Sequence, residues 1–325
     1  MKNIVIIGAG NIGSRHLQAL KAVKEALKIF VIDPNIKSLN EAKEKYLLMH
    51  SNNNQHEIEF FQEIIEFNEE IDIAIVATCS DIRRQIIENL LKLNTVKYFI
   101  LEKILFQKVE DYDKIKDLFR KKKCKAWVNC TRRIIPIYKE EIKSWFYKKK
   151  FIFSVTGSNW GLMSNIIHYL DYMVLLLEDY DFIIDSTYLN PISIQSKRKE
   201  FLEFTGLLQV HFKNGSHGIF QCFPTGKLPL IEEIVSDSLR AQIFWEDLNL
   251  KVWNHKNNLK WDQYEIKMVY TSELTTGVVE EILNEYKCSL TSFDDSMKIH
   301  LKLYNQIINF LNINSDIKYN YYPFT

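Results

Sequence analysis

A run of β-branched residues that stops at a spaced set of glycines governs what this chain can fold into. Ile4-Val5-Ile6-Ile7 leads into Gly8-Ala9-Gly10-Asn11-Ile12-Gly13, a Gly-x-Gly-x-x-Gly. A helical pattern then opens with Ser14-Arg15-His16-Leu17-Gln18-Ala19-Leu20. Gly8 permits the tight turn out of the strand, Gly10 lets a pyrophosphate approach the backbone, and Gly13 lets the helix lie close on the sheet. The free N–H groups where the helix starts, around Asn11 and Ile12, face the phosphates.

A second short strand, Ile29-Phe30-Val31-Ile32, ends at Asp33, 20 residues beyond Gly13. A carboxylate there accepts hydrogen bonds from the adenosine ribose hydroxyls. Pro34-Asn35-Ile36 follows, with no adjacent Arg or Lys to meet a 2′-phosphate, so NAD(H) is favoured over NADP(H). The alternative is a glycine turn in another kind of α/β protein.

With 325 residues the chain has room for two domains. Its 42 basic residues against 41 acidic ones leave no global field to recruit nucleic acid or an anionic membrane. Five scattered cysteines, without Cys-x-x-Cys spacing, point to a reducing compartment and no structural zinc. The apolar run at the N-terminus is too short for a signal peptide. The run Tyr172 to Leu177 ends at Glu178-Asp179 and is too short to span a bilayer. The expectation is a cytoplasmic protein.

Up to about residue 125 the pattern alternates strand and helix, with strands expected at 4–8, 29–33, 58–60, 71–78 and 97–102. That rhythm implies a doubly wound parallel sheet, an NAD-binding Rossmann domain over 1–125. The strand 71–78 delivers Thr78-Cys79-Ser80 to a carboxyl edge, where ligands sit in such sheets. The next strand ends at the opposed charges of Glu102-Lys103. The lysine-rich clusters at 121–125, 148–150 and 197–199 read as solvated surface.

Past residue 130 the rhythm changes. A helix over Ile137–Tyr147, opened by Pro136, precedes strands expected at 151–156, 181–189, 207–212 and 219–223. The last two are split by Asn214-Gly215, a strong hairpin signal. More strand pattern fills roughly 230–270, and helices follow near 276–287 and 292–311, the second with Ser292 and Asp295 as a capping box. Residues 126–325 should therefore form an α+β domain with a large, mostly antiparallel sheet. His211 and His217 flank the hairpin, where such a pair is ordinarily surface chemistry.

These residues together resemble the glucose–fructose oxidoreductase/inositol dehydrogenase/MocA (Gfo/Idh/MocA) family of two-domain NAD(P)-dependent enzymes of sugars and cyclitols. Gly8 to His16 matches its Gly-x-Gly-x-x-Gly-x-x-His, and Val76-Ala77-Thr78 looks like its cofactor-lining strand end. Glu102-Lys103 is similar to the family's Glu-Lys-Pro, whose lysine lies beside the nicotinamide. Here Ile104 replaces the proline, and a cis bond is rare before a residue other than proline, so a trans peptide is expected. Thr131-Arg132-Arg133-Ile134-Ile135-Pro136 is similar to Asn-Arg-Arg-Phe-x-Pro. Ser164 to Asp171 resembles a helix signature Asp-x-x-x-His-x-x-Asp, with His168 and Asp171 kept and Ser164 in place of the first carboxylate.

The resemblance implies an NAD-dependent dehydrogenase or reductase that moves hydride at a secondary carbinol or ketone of a sugar, sugar phosphate or nucleotide sugar. Glycan-precursor biosynthesis is the context it suggests. Lys103 and His168 become the catalytic candidates, able to take the hydroxyl proton as hydride leaves. A hydroxyl at Ser164 can orient an imidazole but cannot stabilise imidazolium as a carboxylate does, which shifts work to Lys103. Gly8, Gly10, Asn11, Ile12, Gly13, Asp33, Thr78, Cys79, Ser80, Glu102, Lys103 and Arg132 are the cofactor candidates.

Asn159, Trp160, Ser164 and His168 are the substrate candidates, and no metal ligand set is present. Other roles stand beside these: an ion pair with Glu102 for Lys103, an ordinary helix histidine for His168, a core indole for Trp160. Glu102 has two readings, a ribose contact or a brace for the loop. The resemblance further implies a homo-oligomer, dimer or tetramer, assembled through the exposed face of the second sheet. The rival functions are an NAD-dependent glycoside hydrolase of the same family and a non-catalytic dinucleotide-binding protein.

Overall fold

The computed structural model describes residues 1–49, 55–255 and 260–325. Residues 256–259, inside the strand pattern expected over 230–270, lie outside the described residues. The chain forms two compact units. One is Met1–Ile134 with Val269–Met297, the other Ile135–Met268 with Lys298–Thr325.

The first unit holds six parallel strands: β1 (Lys2–Ile7), β2 (Leu27–Ile32), β3 (Glu57–Phe61), β4 (Ile71–Val76), β5 (Val96–Leu101) and β6 (Lys125–Val128). Their order is β3-β2-β1-β4-β5-β6, the doubly wound arrangement the alternating pattern led us to expect. All six residues of β4 are buried, as a strand covered on both faces requires. The crossovers are α1 (Asn11–Leu20), α2 (Ile36–Leu48), α3 (Arg83–Leu93) and α4 (Val109–Lys122).

In the second unit a π-helical turn, Tyr138–Ile142, runs into α5 (Lys143–Phe146) where a single helix was expected. Tyr138, Ile142 and Phe146 are still buried at the spacing of four that the pattern carried. Next come β7 (Ile152–Ser158), α6 (Leu162–Leu177) and β8 (Phe182–Asp185). The strand expected over 181–189 stops early because Asp185 Oδ1 accepts from the Thr187 N–H at 2.8 Å and turns the chain. A two-stranded ribbon, β9 (Ile194–Gln195) and β10 (Leu202–Glu203), escaped the sequence reading.

Six more strands complete the unit: β11 (Gly206–Phe212), β12 (His217–Phe223), β13 (Ile231–Val235), β14 (Leu239–Phe244), β15 (Asn249–Asn254) and β16 (Trp261–Glu265). The eight-stranded order is β16-β15-β14-β13-β7-β12-β11-β8, antiparallel except for β7 beside β12. At the expected hairpin Gly215 takes φ +81° and Asn214 Oδ1 accepts from the Ser216 N–H. One row of the face opposite α6 runs Ile183, His211, His217, Ile152, Val235, Arg240, Trp253, Trp261 across all eight strands. In it the rings of His211 and His217 share a hydrogen bond, Nδ1 to Nδ1, at 2.8 Å.

The chain then re-enters the first unit. Helix α7 (Thr271–Glu285) packs Val278, Val279, Ile282 and Leu283 in one core with Leu17 and Leu20 of α1. Strand β17 (Thr291–Ser292) pairs antiparallel with β6. Helix α8 (Phe293–Ile313) starts as expected, with Ser292 Oγ accepting from the Asp295 N–H at 3.2 Å and donating to Asp295 Oδ2 at 2.8 Å. Among the described residues no helix is long and apolar enough to cross a membrane.

The core of the second unit contains an acidic side chain. Glu232 of β13 is fully buried and accepts from Tyr138, from Tyr169 at 2.9 Å and from the Trp245 indole at 2.9 Å. Glu232→Ala strands two buried tyrosine hydroxyls and a part-buried indole N–H, the buried ones costing about 1–3 kcal/mol each, so an overall loss of about 3–5 kcal/mol is expected. Urea unfolding of the variant measures it, and a loss within ~0.5 kcal/mol of zero, typical of a surface change, contradicts the assignment.

Candidate active site

In the first unit the hydrogen-bond ladder runs one residue past the end of β1, β2, β4, β5 and β6. Gly8 N–H donates to Ile32 O at 2.8 Å and Ala77 N–H to Ile7 O at 2.8 Å, while Asp33 N–H reaches Phe61 O at 3.1 Å. Glu102 N–H donates to Val76 O at 3.1 Å and Asn129 N–H to Leu101 O at 2.8 Å. These five bonds bring the carboxyl ends of all six parallel strands level. Along that edge lie Gly8 to Gly13, Asp33, Thr78 to Ser80, and Glu102 with Lys103. Arg132 follows on the short 3₁₀ turn Thr131–Ile134 beyond β6.

The glycines do what their spacing asks. Gly8 has φ +95°, and a Cβ on Gly13 would sit 1.7 Å from the Gly8 carbonyl oxygen, so that helix and turn touch only because neither has a side chain. A Cβ on Gly10 meets nothing within 4 Å; the space over that peptide is open. Helix α1 starts at Asn11 with no side-chain cap and no acidic residue in its first turn. Its leading N–H groups are thus left for an anion.

Asp33 Oδ2 accepts from Ala9 N–H at 2.7 Å and Oδ1 from Asn35 N–H at 2.8 Å. The carboxylate ties the glycine turn to β2, and each oxygen keeps a further lone pair for a hydroxyl. The hydroxyls of Ser14 and Thr78 are buried without a partner. Open space over Gly10, an uncapped helix and orphan hydroxyls fit a dinucleotide.

Glu102 is 8% exposed. Its Oε1 accepts from His16 Nε2 at 3.0 Å and from the Asn129 amide at 2.5 Å. The other ring nitrogen, Nδ1, lies 2.8 Å from the Thr275 hydroxyl of α7. Burial alone would raise the Glu102 carboxyl. The hydrogen bond and charge of His16, the Asn129 amide and the Lys103 charge outweigh that and hold it below the ordinary carboxylate range.

Beyond it, Lys103 is half-exposed, whereas Ile104, Leu105 and Phe106 are buried. The peptide Lys103–Ile104 is cis, contrary to the trans bond expected from residue type. Tertiary contacts decide there: the guanidinium of Arg83 donates to Ile104 O, to Leu105 O at 2.8 Å and to Thr78 O.

In the second unit Asn159 and Trp160 lie between the end of β7 and the start of α6, Ser164 lies in the first turn of α6, and His168 lies one turn further on. The Trp160 indole donates to Gln221 O at 2.9 Å, and Asn165 donates to the Trp160 and Gly161 carbonyls at 2.8 and 3.0 Å. Ser164 and His168, four apart on α6, are both half-exposed on one face, while Asp171 is fully buried.

The N-terminus of α6 is closed from a distance. Glu203 of β10 accepts from Met163 N–H at 2.8 Å and from Ser164 N–H at 3.1 Å. Neither Glu203, Asn129, Thr275 nor Arg83 was singled out in the sequence. His16 stood inside a recognised motif, yet no local pattern marks any of their partnerships.

Residues 2–130 match the profile of a family described as "Oxidoreductase family, NAD-binding Rossmann fold", GFO_IDH_MocA. Among curated proteins nothing matches the chain. Similar solved structures include a UDP-N-acetylglucosamine 3-dehydrogenase from Acidithiobacillus ferrooxidans, at 11% identity over 97% of this chain and 99% of that one, TM-score 0.69. An oxidoreductase from Agrobacterium radiobacter, in complex with NAD+, L-tartaric acid and magnesium, shares 14% identity over 93% and 94%, TM-score 0.70. A dehydrogenase from Clostridium difficile shares 17% over 95% and 99%, TM-score 0.69. At such identities the likeness is one of fold.

The depressed Glu102 carboxyl has a consequence for stability. A group of this kind contributes above its unfolded value, near ~4.3, and the contribution is lost as pH falls through the folded one. Glu102→Gln should cost about 2–4 kcal/mol near neutral pH, with wild type and variant converging in acid. Urea unfolding from acid to neutral pH reads this; a gap that widens in acid contradicts it.

Proposed function

We propose, from the match of residues 2–130 to the NAD-binding Rossmann model of the Gfo/Idh/MocA oxidoreductase family, hydride transfer at a secondary carbinol or ketone of a sugar, sugar phosphate or nucleotide sugar. The observation that carries this reading is the aligned strand edge, which sets the open Gly10 turn, Asp33 and Lys103 in one row. NAD binding falls to the first unit and carbohydrate recognition to the second.

When bound, the nicotinamide supplies the hydride acceptor or donor. The N–H groups at Asn11 and Ile12 take the pyrophosphate, and Asp33 takes the adenosine ribose hydroxyls. Thr78, Cys79 and Ser80 line the cofactor on the β4 side, with Arg132 beyond β6. Glu102 braces the segment on which Lys103 is mounted. Lys103 is the group we assign to the proton of the reacting hydroxyl, as base or as the cation that stabilises the alkoxide.

On the second unit His168 is the other proton-handling group, with Ser164 one turn away to orient it. Asn159 and Trp160 are assigned to the carbohydrate, although the indole N–H is already engaged with Gln221. The exposed apolar residues of the outer sheet face, Ile183, Ile152 and Trp261, are assigned to assembly as a dimer or tetramer.

Calorimetry with NAD and NADP tests the first step. Asp33→Ala should weaken NAD binding about tenfold or more, as loss of charge-assisted hydrogen bonds does. Unchanged affinity, or tighter binding of NADPH, overturns the cofactor assignment. Turnover is then followed by nicotinamide absorbance against nucleotide sugars, sugar phosphates and cyclitols. Lys103→Ala should lower it by about 10²–10⁴, with a smaller loss for His168→Ala. Turnover that needs NAD but accumulates no NADH would favour glycoside hydrolysis instead.

A further inference from the structure

Arg83 is 1% exposed, among the most deeply buried large side chains of the protein. It opens α3, five residues beyond Thr78, and its two terminal nitrogens serve two separate pieces of chain. One donates to Ile104 O and to Leu105 O at 2.8 Å; the other donates to Thr78 O. The first pair lies immediately after Lys103, the last at the end of the strand assigned to the cofactor.

Burying a guanidinium is a poor way to gain stability, because desolvation offsets most of what its hydrogen bonds return. What a planar fork offers is fixed geometry, since its donors point in directions set by the group itself. Glu102 is already held by His16 and Asn129 on the near side of Lys103, and Arg83 holds Ile104 and Leu105 on the far side. Between two clamped and buried stretches, only the Lys103 side chain is half-exposed. The same guanidinium ties that stretch to Thr78, so the lysine and the cofactor edge are referenced to one another through a single side chain.

We propose that Arg83 is a positioning residue, which fixes the direction of the Lys103 amine relative to a bound dinucleotide without touching either. This rests on the reading of Lys103 given above. A lysine at position 83 keeps the charge but is a point donor that cannot span two segments, and a methionine keeps only the volume.

The test uses the full chain, NAD+ as ligand and trace acetylation with acetic anhydride, in which peptide mass spectrometry reads the reactivity of Lys103. In the wild-type protein NAD+ should slow labelling of Lys103. In Arg83→Lys and Arg83→Met the affinity for NAD+, measured by calorimetry, should stay within about threefold. The protection of Lys103 should fall at least about fivefold, because misplacing a group by an ångström is enough to disengage it. The pH at which Lys103 labelling is half-maximal should also move between wild type and variants, which general loosening of the fold does not require.

Protection as strong in both variants as in wild type overturns the proposal. So does a loss of NAD+ affinity in parallel with protection, which would make Arg83 a support of the cofactor face alone. If NAD+ fails to protect Lys103 in the wild-type protein, the assignment of Lys103 falls and takes this inference with it, a result visible before any change at Arg83. Should the methionine variant not fold, the lysine variant carries the same comparison.

Discussion

A carboxylate kept ionised beneath the edge of the first sheet holds the site together. Glu102 stays charged in a buried place because His16 and Asn129 bring donors to it and Lys103 adds its charge. Those donors come from α1 and from the residue after β6, and Thr275 of α7 supports His16 from behind. One anion therefore locks the helix that opens the glycine turn, the end of β5, the end of β6 and the returning helix. Because Lys103 is the next residue, the turn assigned to the pyrophosphate and the amine assigned to the reaction belong to one stiff body. Arg83 completes that body from the other side.

The second unit is built on the same principle with different chemistry. Glu232 satisfies two tyrosines and an indole in the core, and Glu203 closes the helix that carries Ser164 and His168. An acidic residue at a helix start is favourable, and here it arrives from a strand some 40 residues away in sequence. It lies against the backbone of Ser164, the position where the family signature has its own carboxylate. Ser164 and His168 thus sit on a helix whose first turn is fixed electrostatically, although their segment contains no acid before Asp171.

What could be read from the chain was whatever is local. The glycine spacing, the run of Ile71 to Val76, the Asn214-Gly215 hairpin and the Ser292 cap each depend on residues a few places apart, and each is found in place. The stop at Asp185 is also local, but an Asx turn hidden in a strand-like run was outvoted by periodicity. The hydrogen-bond partners of Glu102, Glu232 and Glu203 lie from 13 to 94 residues away, and no spacing announces them. The geometry of the bond after Lys103 is of the same kind, since contacts from Arg83 rather than the identity of residue 104 accompany it.

The return of α7 has a bearing on biosynthesis. The apolar stripe of α1, with Leu17 and Leu20, is covered by residues near 278–283, and those are translated only after the whole eight-stranded sheet. The amino-terminal unit cannot finish its hydrophobic core while it is first emerging from the ribosome. It must wait, partly open, through the synthesis of about 130 further residues. Long-range closure of this sort slows folding and lengthens the period in which a sticky surface is bare, so demand for chaperone protection should fall on this helix before any other part of the chain.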